Sequence, residues 1–164
     1  MNSTQSLKTA DLCDQYSDEL SICELEFNSY GGKKQFAGRI ETVEVFEDNV
    51  LVKQALETIP KGSVLVVNGG GSKKCALLGD RLADIAVSRG LAGVIINGAI
   101  RDSGEIADMD IGVFALGTMP LKSKKEGKGH TNVSTTFGGL IWTPGHYVYA
   151  DEDGVVVSAK PLTL

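Results

Sequence analysis

Arg101 and Asp102 stand side by side directly after a run of strand-forming residues. The stretch GVIINGAIRDSGE, residues 93–105, carries the pair after its apolar part, and Glu105 follows three positions later. Ligands of open α/β sheets bind at the carboxyl ends of strands. An arginine offers a permanently charged, forked donor for anionic oxygens. The pair is therefore a candidate ligand site, and a surface turn closed by an Arg101–Asp102 salt bridge is the alternative.

Gly79 and Asp80, in the stretch LLGDRLA, stand at the predicted start of a helix. The first amides of a helix have no partner inside it and lie at the positive end of its dipole, so this start suits a carboxylate or phosphate. Twenty residues separate Asp80 from Arg101, which is enough for one crossover helix and one strand, so we expect both positions to line one crevice. Two alternatives stay open: Asp80 as a simple N-cap, and Glu105 as a charge that balances a helix start.

The hydrophobic pattern predicts three helices around these positions. A cap candidate at Thr9 and apolar residues at every fourth position, as far as Leu20, indicate the first. Asp48 and Asn49 are cap candidates for the second, and Gly90 is the stop signal of the third. The stretches that carry these patterns are 9–20, 47–62 and 81–90.

Two apolar runs, VLVVNGG and GVIINGA, repeat one pattern on either side of the third helix. Continuous apolar runs of this kind are typical of strands buried on both faces, and strand–helix–strand units in one sheet form parallel pairs. FAGRIETVEVF and DIGVFALGTMP predict further strands, GGGSKKCALLGD predicts a loop, and NVSTTF, GGLIW and HYVYADEDGVVVS predict short strands joined by tight turns. The residues thus predict a mixed α/β domain with a parallel βαβ centre and antiparallel C-terminal strands.

Composition narrows the classes of protein that this chain can be. Its 164 residues fit a single domain, 1–164, and 42 % hydrophobic residues suffice for a packed core. A net charge of −5 without a long basic run argues against direct binding of nucleic acid. The sequence has no apolar run long enough for a membrane span and no secretory signal pattern, so we expect a cytoplasmic protein.

Other motifs in the chain do not predict a ligand site. The GGGSKK loop matches neither the Walker A pattern nor the G-x-G-x-x-G pattern of dinucleotide sites. His130 and His146 have no partner at metal-ligand spacing. The three cysteines lack C-x-x-C spacing and are expected to be reduced thiols in or near the core. Four lysines are interpreted as part of a solvated loop: Lys122, Lys124, Lys125 and Lys128.

These blocks, in this order, resemble the RraA family, which comprises regulators of ribonuclease activity A and related 4-hydroxy-4-methyl-2-oxoglutarate aldolases. The resemblance extends over nearly the whole chain and is carried by TADLCD, FAGRIETVEVFEDN, VLVVNGGGS, ALLGDRLADIA, GVIINGAIRD, DIGVFALG and YADEDGVVV. It implies a subunit of ββα layers, a ring-shaped homotrimer or larger assembly, and active sites at the subunit boundaries. Some similar sequences carry the name of menaquinone methyltransferases, but this sequence offers no convincing methyl-donor site.

The aldolase members of this family share a pattern of Asp, twenty residues, Arg-Asp, two residues, and Glu or Asp. Asp80, Arg101, Asp102 and Glu105 complete this pattern. The resemblance therefore implies a metal-dependent aldolase that releases pyruvate from 4-hydroxy-4-methyl-2-oxoglutarate and also decarboxylates oxaloacetate. The alternative is a protein-binding regulator that inhibits ribonuclease E and has no catalytic activity.

The same resemblance implies a role for each residue, and the roles agree with the chemistry. Cleavage of a 4-hydroxy-2-oxo acid leaves an enolate, whose charge a divalent cation, Mg²⁺ or Mn²⁺, can take as a Lewis acid. Asp102 would hold this cation largely through water, and Glu105 would orient those waters. Arg101 would bind the 2-oxo oxygen, and Asp80 would hold a proton-shuttling water. The substrate carboxylate would bind at the helix start formed by Gly79, Asp80, Arg81 and Leu82.

Overall fold

The computed structural model of this chain describes residues 7–164, so residues 1–6 of the predicted domain 1–164 lie outside it. Within the described residues, ten strands form one sheet and two more form a separate hairpin. The helices are α1 (Thr9–Tyr16), α2 (Val50–Thr58), α3 (Asp80–Ser88) and α4 (Ser103–Ile106). The strands are β1 (Leu20–Ile22), β2 (Asn28–Ser29), β3 (Phe36–Glu44), β4 (Val64–Asn68), β5 (Ala76–Leu78), β6 (Gly93–Ile100), β7 (Gly112–Thr118), β8 (His130–Thr131), β9 (Thr135–Phe137), β10 (Leu140–Trp142), β11 (Tyr147–Asp151) and β12 (Gly154–Ser158).

The centre of the sheet is parallel and consists of β3, β4, β6 and β7, in that order. Strands β4 and β6, which are the two repeated apolar runs, pair with Val64 opposite Gly93 and Asn68 opposite Asn97. The two asparagines therefore end neighbouring strands side by side, and Nδ2 of Asn97 donates a hydrogen bond of 3.1 Å to Oδ1 of Asn68. Helix α3 lies between β4 and β6 in the chain, which confirms the predicted βαβ centre.

Two hydrophobic clusters give the subunit its layers. Leu56 of α2 and Ala83 of α3 share one buried cluster with Leu65 of β4. Trp142 of the β9–β10 hairpin shares the other with Ile95 of β6. Because successive side chains of a strand point to opposite faces, the central strands supply both clusters, with helices on one face and strands on the other. This confirms the mixed α/β fold. Among residues 7–164, no helix combines the length and the apolar character that crossing a membrane requires.

The C-terminal strands are antiparallel, as the sequence predicts. Strands β11 and β12 form a hairpin in which Asp151 lies opposite Gly154. Strand β11 also pairs antiparallel with β3, so the hairpin extends the parallel centre on one side.

The first helix differs from its prediction at both ends. It ends at Tyr16, and Leu20 belongs instead to β1, which pairs with β12. Thr9 is not the N-cap, a position that Lys8 occupies. The Thr9 amide and hydroxyl both donate to the buried carboxylate of Asp151, at 2.8 and 2.7 Å. Partners from the far end of the chain thus override the local periodicity.

The stretch GGGSKKCALLGD, predicted to be a loop, contains β5. This short strand pairs in parallel with the end of β6, which continues to Ile100. Three residues are too few for hydrophobic periodicity to mark a strand, so the pairing with β6 decides its conformation.

The three cysteines are free thiols, as predicted. Cys23 and Cys75 are buried and Cys13 is half-buried. Burial raises the pKa of each thiol above its ordinary value, which keeps the thiols protonated and poorly nucleophilic at neutral pH.

Candidate functional site

A cleft of about 990 Å³ opens where α2, α3 and the end of β6 meet. Most of the residues singled out from the sequence line this cleft. They are Gly79, Asp80, Arg81, Leu82, Arg101 and Asp102. Glu105 does not line it and is exposed on the first turn of α4. The predicted crevice is therefore present, and Glu105 lies outside it.

Strand β5 explains why Gly79 and Arg101 lie close together. Its last residue, Leu78, is registered against Ile100, the last residue of β6. The Arg101 amide donates to the Leu78 carbonyl at 2.9 Å. Two paired parallel strands thus end together, so the residue that follows each one faces the same edge of the sheet.

The carboxylate of Asp102 caps the start of α3. Oδ2 of Asp102 accepts a hydrogen bond of 2.9 Å from the Asp80 amide. Asp102 has a left-handed backbone, with φ of 58°, a conformation that aspartate tolerates better than most residues. The N-cap position belongs to Gly79, which has no side chain to cap with, so the interpretation of Asp80 as N-cap is wrong. The capping oxygen comes from the next strand end.

Gly79 makes room for this arrangement. A Cβ atom on Gly79 would lie 2.7 Å from Oδ2 of Asp102 and 3.4 Å from Nε of Arg101. The backbone of Gly79 is extended, with φ of −127°, so its conformation alone does not require glycine. The requirement comes from the close approach of Asp102.

Arg101 is half-buried, and its guanidinium has little protein to bind. Its Nη1 donates a long hydrogen bond of 3.4 Å to the Pro120 carbonyl. The ion pairs within residues 7–164 are Lys128–Glu126 and Lys160–Glu19, so the predicted alternative of an Arg101–Asp102 salt bridge is wrong. A guanidinium left without a carboxylate partner in a cleft is available for an anionic ligand.

Helix α2 and the segment around residue 122 supply cleft residues that sequence reasoning missed. Lys53, Lys122 and Lys125 line the cleft, although two of them belong to the stretch interpreted as a solvated loop. Nζ of Lys125 donates a hydrogen bond of 3.0 Å to Oδ1 of Asn49, at the start of α2. Asn49 also donates from Nδ2 to the Leu77 carbonyl at 3.2 Å. Nothing in the local pattern of lysines and glycines separates a cleft wall from a free loop.

The balance of charge in the cleft favours an anionic ligand. Five cationic side chains line it: Lys53, Arg81, Arg101, Lys122 and Lys125. Three carboxylates oppose them: Glu57, Asp80 and Asp102. The first residues of α2 and α3 also belong to the lining, and each helix adds the positive end of its dipole.

Asp48, at the start of α2, is a buried carboxylate, 3 % exposed. Burial by itself would raise its pKa, but hydrogen bonds from the amides of Val50, Glu126, Lys128 and Gly127 outweigh burial and lower the pKa below its ordinary value. The carboxylate is therefore charged at neutral pH and joins α2 to the segment that carries Lys125.

The donor atoms in the cleft suit a cation that keeps most of its water. In the part of the chain that the structure describes, no group of three or more His, Cys, Asp or Glu side chains is arranged to hold a metal ion. Oδ1 of Asp102 has no hydrogen-bond partner among residues 7–164, and neither has the Asp80 carboxylate. Mg²⁺ commonly retains several waters and binds through one or two carboxylates, which these two groups can provide.

Known proteins are similar to this chain over almost its whole length. A family model described as RraA-like, Aldolase/RraA, matches residues 9–157. A protein of Bacillus cereus named "Putative 4-hydroxy-4-methyl-2-oxoglutarate aldolase" is 59 % identical over 155 residues, which cover 94 % of this chain and 98 % of that protein.

Two solved structures are similar over comparable lengths. The RNA-processing inhibitor RraA from Thermus thermophilis has a TM-score of 0.93 and 43 % identity, and the match covers 97 % of this chain and 96 % of that one. The structure named S-adenosylmethionine: 2-dimethylmenaquinone methyltransferase, from Geobacillus kaustophilus, has a TM-score of 0.95 and 68 % identity, and the match covers 95 % and 97 %. The names of these relatives thus span three activities on one fold.

Proposed function

The chain belongs to the RraA-like family, described as Aldolase/RraA, and from this membership we propose that it is a divalent-metal-dependent (class II) aldolase. Its substrate is 4-hydroxy-4-methyl-2-oxoglutarate, the compound named for the Bacillus cereus relative. Breaking the bond between C3 and C4 turns the hydroxyl-bearing half into pyruvate and leaves the other half as pyruvate enolate. Decarboxylation of oxaloacetate passes through the same enolate, so the same site carries out both reactions.

One observation supports this proposal most strongly: a guanidinium with no carboxylate partner among residues 7–164, a helix start and two carboxylates meet in a cationic cleft. Arg101 binds the 2-oxo oxygen, where negative charge develops as the C3–C4 bond breaks. Its fixed positive charge stabilises the enolate more than it stabilises the neutral carbonyl of the substrate, which is the condition for accelerating the reaction.

The substrate carboxylate binds the first turn of α3. The Asp80 amide is already occupied by Asp102, so the amides of Arg81 and Leu82 receive the carboxylate. These amides have no partner inside a helix, and the positive end of the helix dipole adds to their attraction. The sequence predicted that Gly79 and Asp80 also bind the substrate carboxylate, and this assignment leaves only Arg81 and Leu82.

Asp102 is the residue that holds the cation, Mg²⁺ or Mn²⁺. When bound, the cation supplies Lewis-acid stabilisation of the enolate charge. Asp102 can cap α3 with Oδ2 and still offer Oδ1. Glu105 is exposed outside the cleft, so in this proposal it acts only on water that surrounds the cation.

Asp80 is the residue that moves the proton. Its carboxylate lies in the cleft and has no partner among residues 7–164, so it can hold a water molecule. That water removes the proton from the C4 hydroxyl and returns one to C3 of the enolate, as general acid–base chemistry requires.

The far carboxylate of the substrate faces the lysine wall, which we define as Lys53, Lys122 and Lys125. A 2-oxo diacid carries two negative charges, and the cleft offers two separate cationic regions for them. Arg101 and α3 bind the end that reacts, and the lysine wall binds the end that leaves. This gives the site a preference for diacids over 4-hydroxy-2-oxo monoacids.

The experiment that tests the proposal measures pyruvate release from 4-hydroxy-4-methyl-2-oxoglutarate and from oxaloacetate, with and without EDTA. We expect no activity in excess EDTA and recovery on addition of Mg²⁺ or Mn²⁺, because an enolate charge needs the cation. Full activity in excess EDTA would exclude a class II aldolase.

Regulation of ribonuclease E is the second candidate function, favoured by the likeness to the RNA-processing inhibitor RraA. It requires a partner protein and no catalysis. Binding of purified ribonuclease E and loss of its RNA cleavage would support this function. Retention of that inhibition by Arg101→Ala would show that it is independent of the cleft.

Methyl transfer from S-adenosylmethionine is not part of the proposal. A donor of that kind carries an adenine ring, which binds best against apolar or aromatic side chains. No aromatic side chain lines the cleft within residues 7–164.

We further propose a homotrimer or larger assembly, as the family resemblance implies. A cytoplasmic location is proposed with it, from the lack of a secretory signal pattern in the sequence.

A further inference from the structure

The segment 122–128, which carries two lysines of the lysine wall, is attached to the start of α2 by one buried side chain. Oδ2 of Asp48 accepts hydrogen bonds from the amides of Glu126 at 2.8 Å, Gly127 at 3.0 Å and Lys128 at 3.4 Å. Oδ1 of the same carboxylate accepts from the Val50 amide at 3.1 Å. Asp48 therefore holds the first turn of α2 and three consecutive amides of the segment at once.

Further bonds fix the residues on either side of Lys125. The Lys124 amide donates to the Glu47 carbonyl at 3.0 Å, and the Asn49 amide donates to the Lys124 carbonyl at 3.4 Å. Lys125 thus stands between two attached points, and its ammonium reaches Oδ1 of Asn49 at 3.0 Å. A lysine on a free loop would lose much more conformational entropy on binding an anion.

We propose that Asp48 is a positioning residue that sets Lys125, and with it the lysine wall, for the far carboxylate of the substrate. This inference rests on the proposed aldolase function. Asp48 does not line the cleft, so it acts through the segment and not on the substrate. Its charge matters because an ionised carboxylate accepts from several amides, whereas an asparagine amide at the same place would turn donor protons toward at least one of them.

The test compares a diacid with a monoacid in Asp48→Asn. The diacid is 4-hydroxy-4-methyl-2-oxoglutarate, and the monoacid is 4-hydroxy-2-oxopentanoate, which lacks the far carboxylate. We expect KM for the diacid to rise about tenfold, with kcat changed less than about twofold, because lost uniform binding appears in KM alone. We expect KM for the monoacid to stay unchanged.

Asp14→Asn is the matched control, because it removes the same charge from the exposed surface of α1. Helix α1 contacts β11 and β12 and not the cleft. This variant should keep the wild-type KM for both acids. Thermal melts and circular dichroism of both variants measure how much folded protein each assay contains.

A second variant tests the proposal even if Asp48→Asn folds poorly. Lys125→Gln changes an exposed side chain and should raise KM for the diacid directly. If Asp48 acts through Lys125, then Asp48→Asn in the Lys125→Gln background should raise that KM by less than about twofold further, since residues in one network are not additive.

The outcomes separate this inference from the proposed function. Equal changes in KM for both acids, or full additivity of the two substitutions, would overturn the positioning role while leaving an active aldolase. Wild-type protein that releases no pyruvate from either acid with Mg²⁺ present would overturn the proposed function, and the inference with it.

Discussion

The two carboxylate oxygens of Asp102 have different surroundings within residues 7–164. Oδ2 caps α3 through the Asp80 amide, and Oδ1 faces no partner among the described residues. A residue proposed to bind the cation therefore also holds the helix start proposed to bind the substrate carboxylate. Its placement depends on the hydrogen atom that Gly79 has in place of a side chain.

Gly79→Ala should weaken binding of the cation without unfolding the chain. The extended backbone of Gly79 accepts alanine. The new methyl carbon, however, would lie only 2.7 Å from Oδ2 of Asp102 and would push this oxygen away. Misplacing groups around a metal site typically costs 10–100-fold in affinity, so we expect a loss of about tenfold. Electron paramagnetic resonance of free Mn²⁺ measures this affinity without any assay of activity.

Gly104→Ala is the control for that experiment, because a Cβ at Gly104 meets nothing within 4 Å. It should leave Mn²⁺ affinity at the wild-type value. Unchanged Mn²⁺ binding in Gly79→Ala would contradict the assignment of Asp102 to the cation.

Arg101→Ala and Asp102→Ala should lower activity for different reasons. Arg101 stabilises charge that develops in the transition state, so its loss should lower kcat about 10²–10³-fold at saturating metal. Asp102→Ala should first lose metal affinity, which added metal partly rescues. It should also lower the free energy of unfolding by about 1 kcal/mol, because it removes the cap of α3. A metal titration of kcat and KM with oxaloacetate, with a melt of each variant, tests both, and wild-type turnover in both variants would make this pair a structural turn.

At the scale of elements, Asp48 links the stability of the chain to pH. Four backbone amides donate hydrogen bonds to its carboxylate and so join α2 to the segment 122–128. These hydrogen bonds hold the pKa of Asp48 below the ordinary value of 3.8. A carboxylate with a lowered folded-state pKa stabilises the fold above its unfolded-state pKa, and this contribution is lost as the pH falls through the lower folded value.

The wild type should therefore be more stable than Asp48→Asn at neutral pH, and the difference should shrink as the pH falls below about 3.8. Urea unfolding between about pH 2 and pH 7 measures the two free energies. Asp14→Asn serves again as the control. A difference that stays constant over the whole range would mean that the charge of Asp48 does not stabilise this junction.

At the scale of the whole molecule, we expect the chain to assemble. Phe46 and Leu121 are 64 % and 60 % exposed, and each lies next to a cleft element: Phe46 precedes α2, and Leu121 precedes Lys122. Coverage of these two side chains by a neighbouring subunit would remove their apolar surface from water.

Light scattering after size exclusion at micromolar concentration should give at least the mass of three 17.4 kDa chains, about 52 kDa. Closed, symmetric assemblies are the common state of oligomeric proteins. A monomer at that concentration would contradict sites shared between subunits.

The sequence predicted the elements whose signals are local. The repeated runs ending in Asn68 and Asn97 predicted two parallel strands in register, and the spacing of Asp80 and Arg101 predicted that both line one cleft. These predictions succeed because apolar runs, glycine stops and connection lengths act within one supersecondary unit.

What the sequence alone determined, then, is the α/β class, the parallel centre and the residues that complete the aldolase pattern. Only the tertiary structure decided that Asp102 caps α3, that β5 forms, and that Lys125 belongs to the cleft. The physical reason is the distance along the chain between partners: Asp80 and Asp102 are 22 positions apart, and Asp48 and Glu126 are 78 positions apart. A hydrogen bond between such partners leaves no periodicity in the sequence, because it forms only once the sheet has brought the strand ends together.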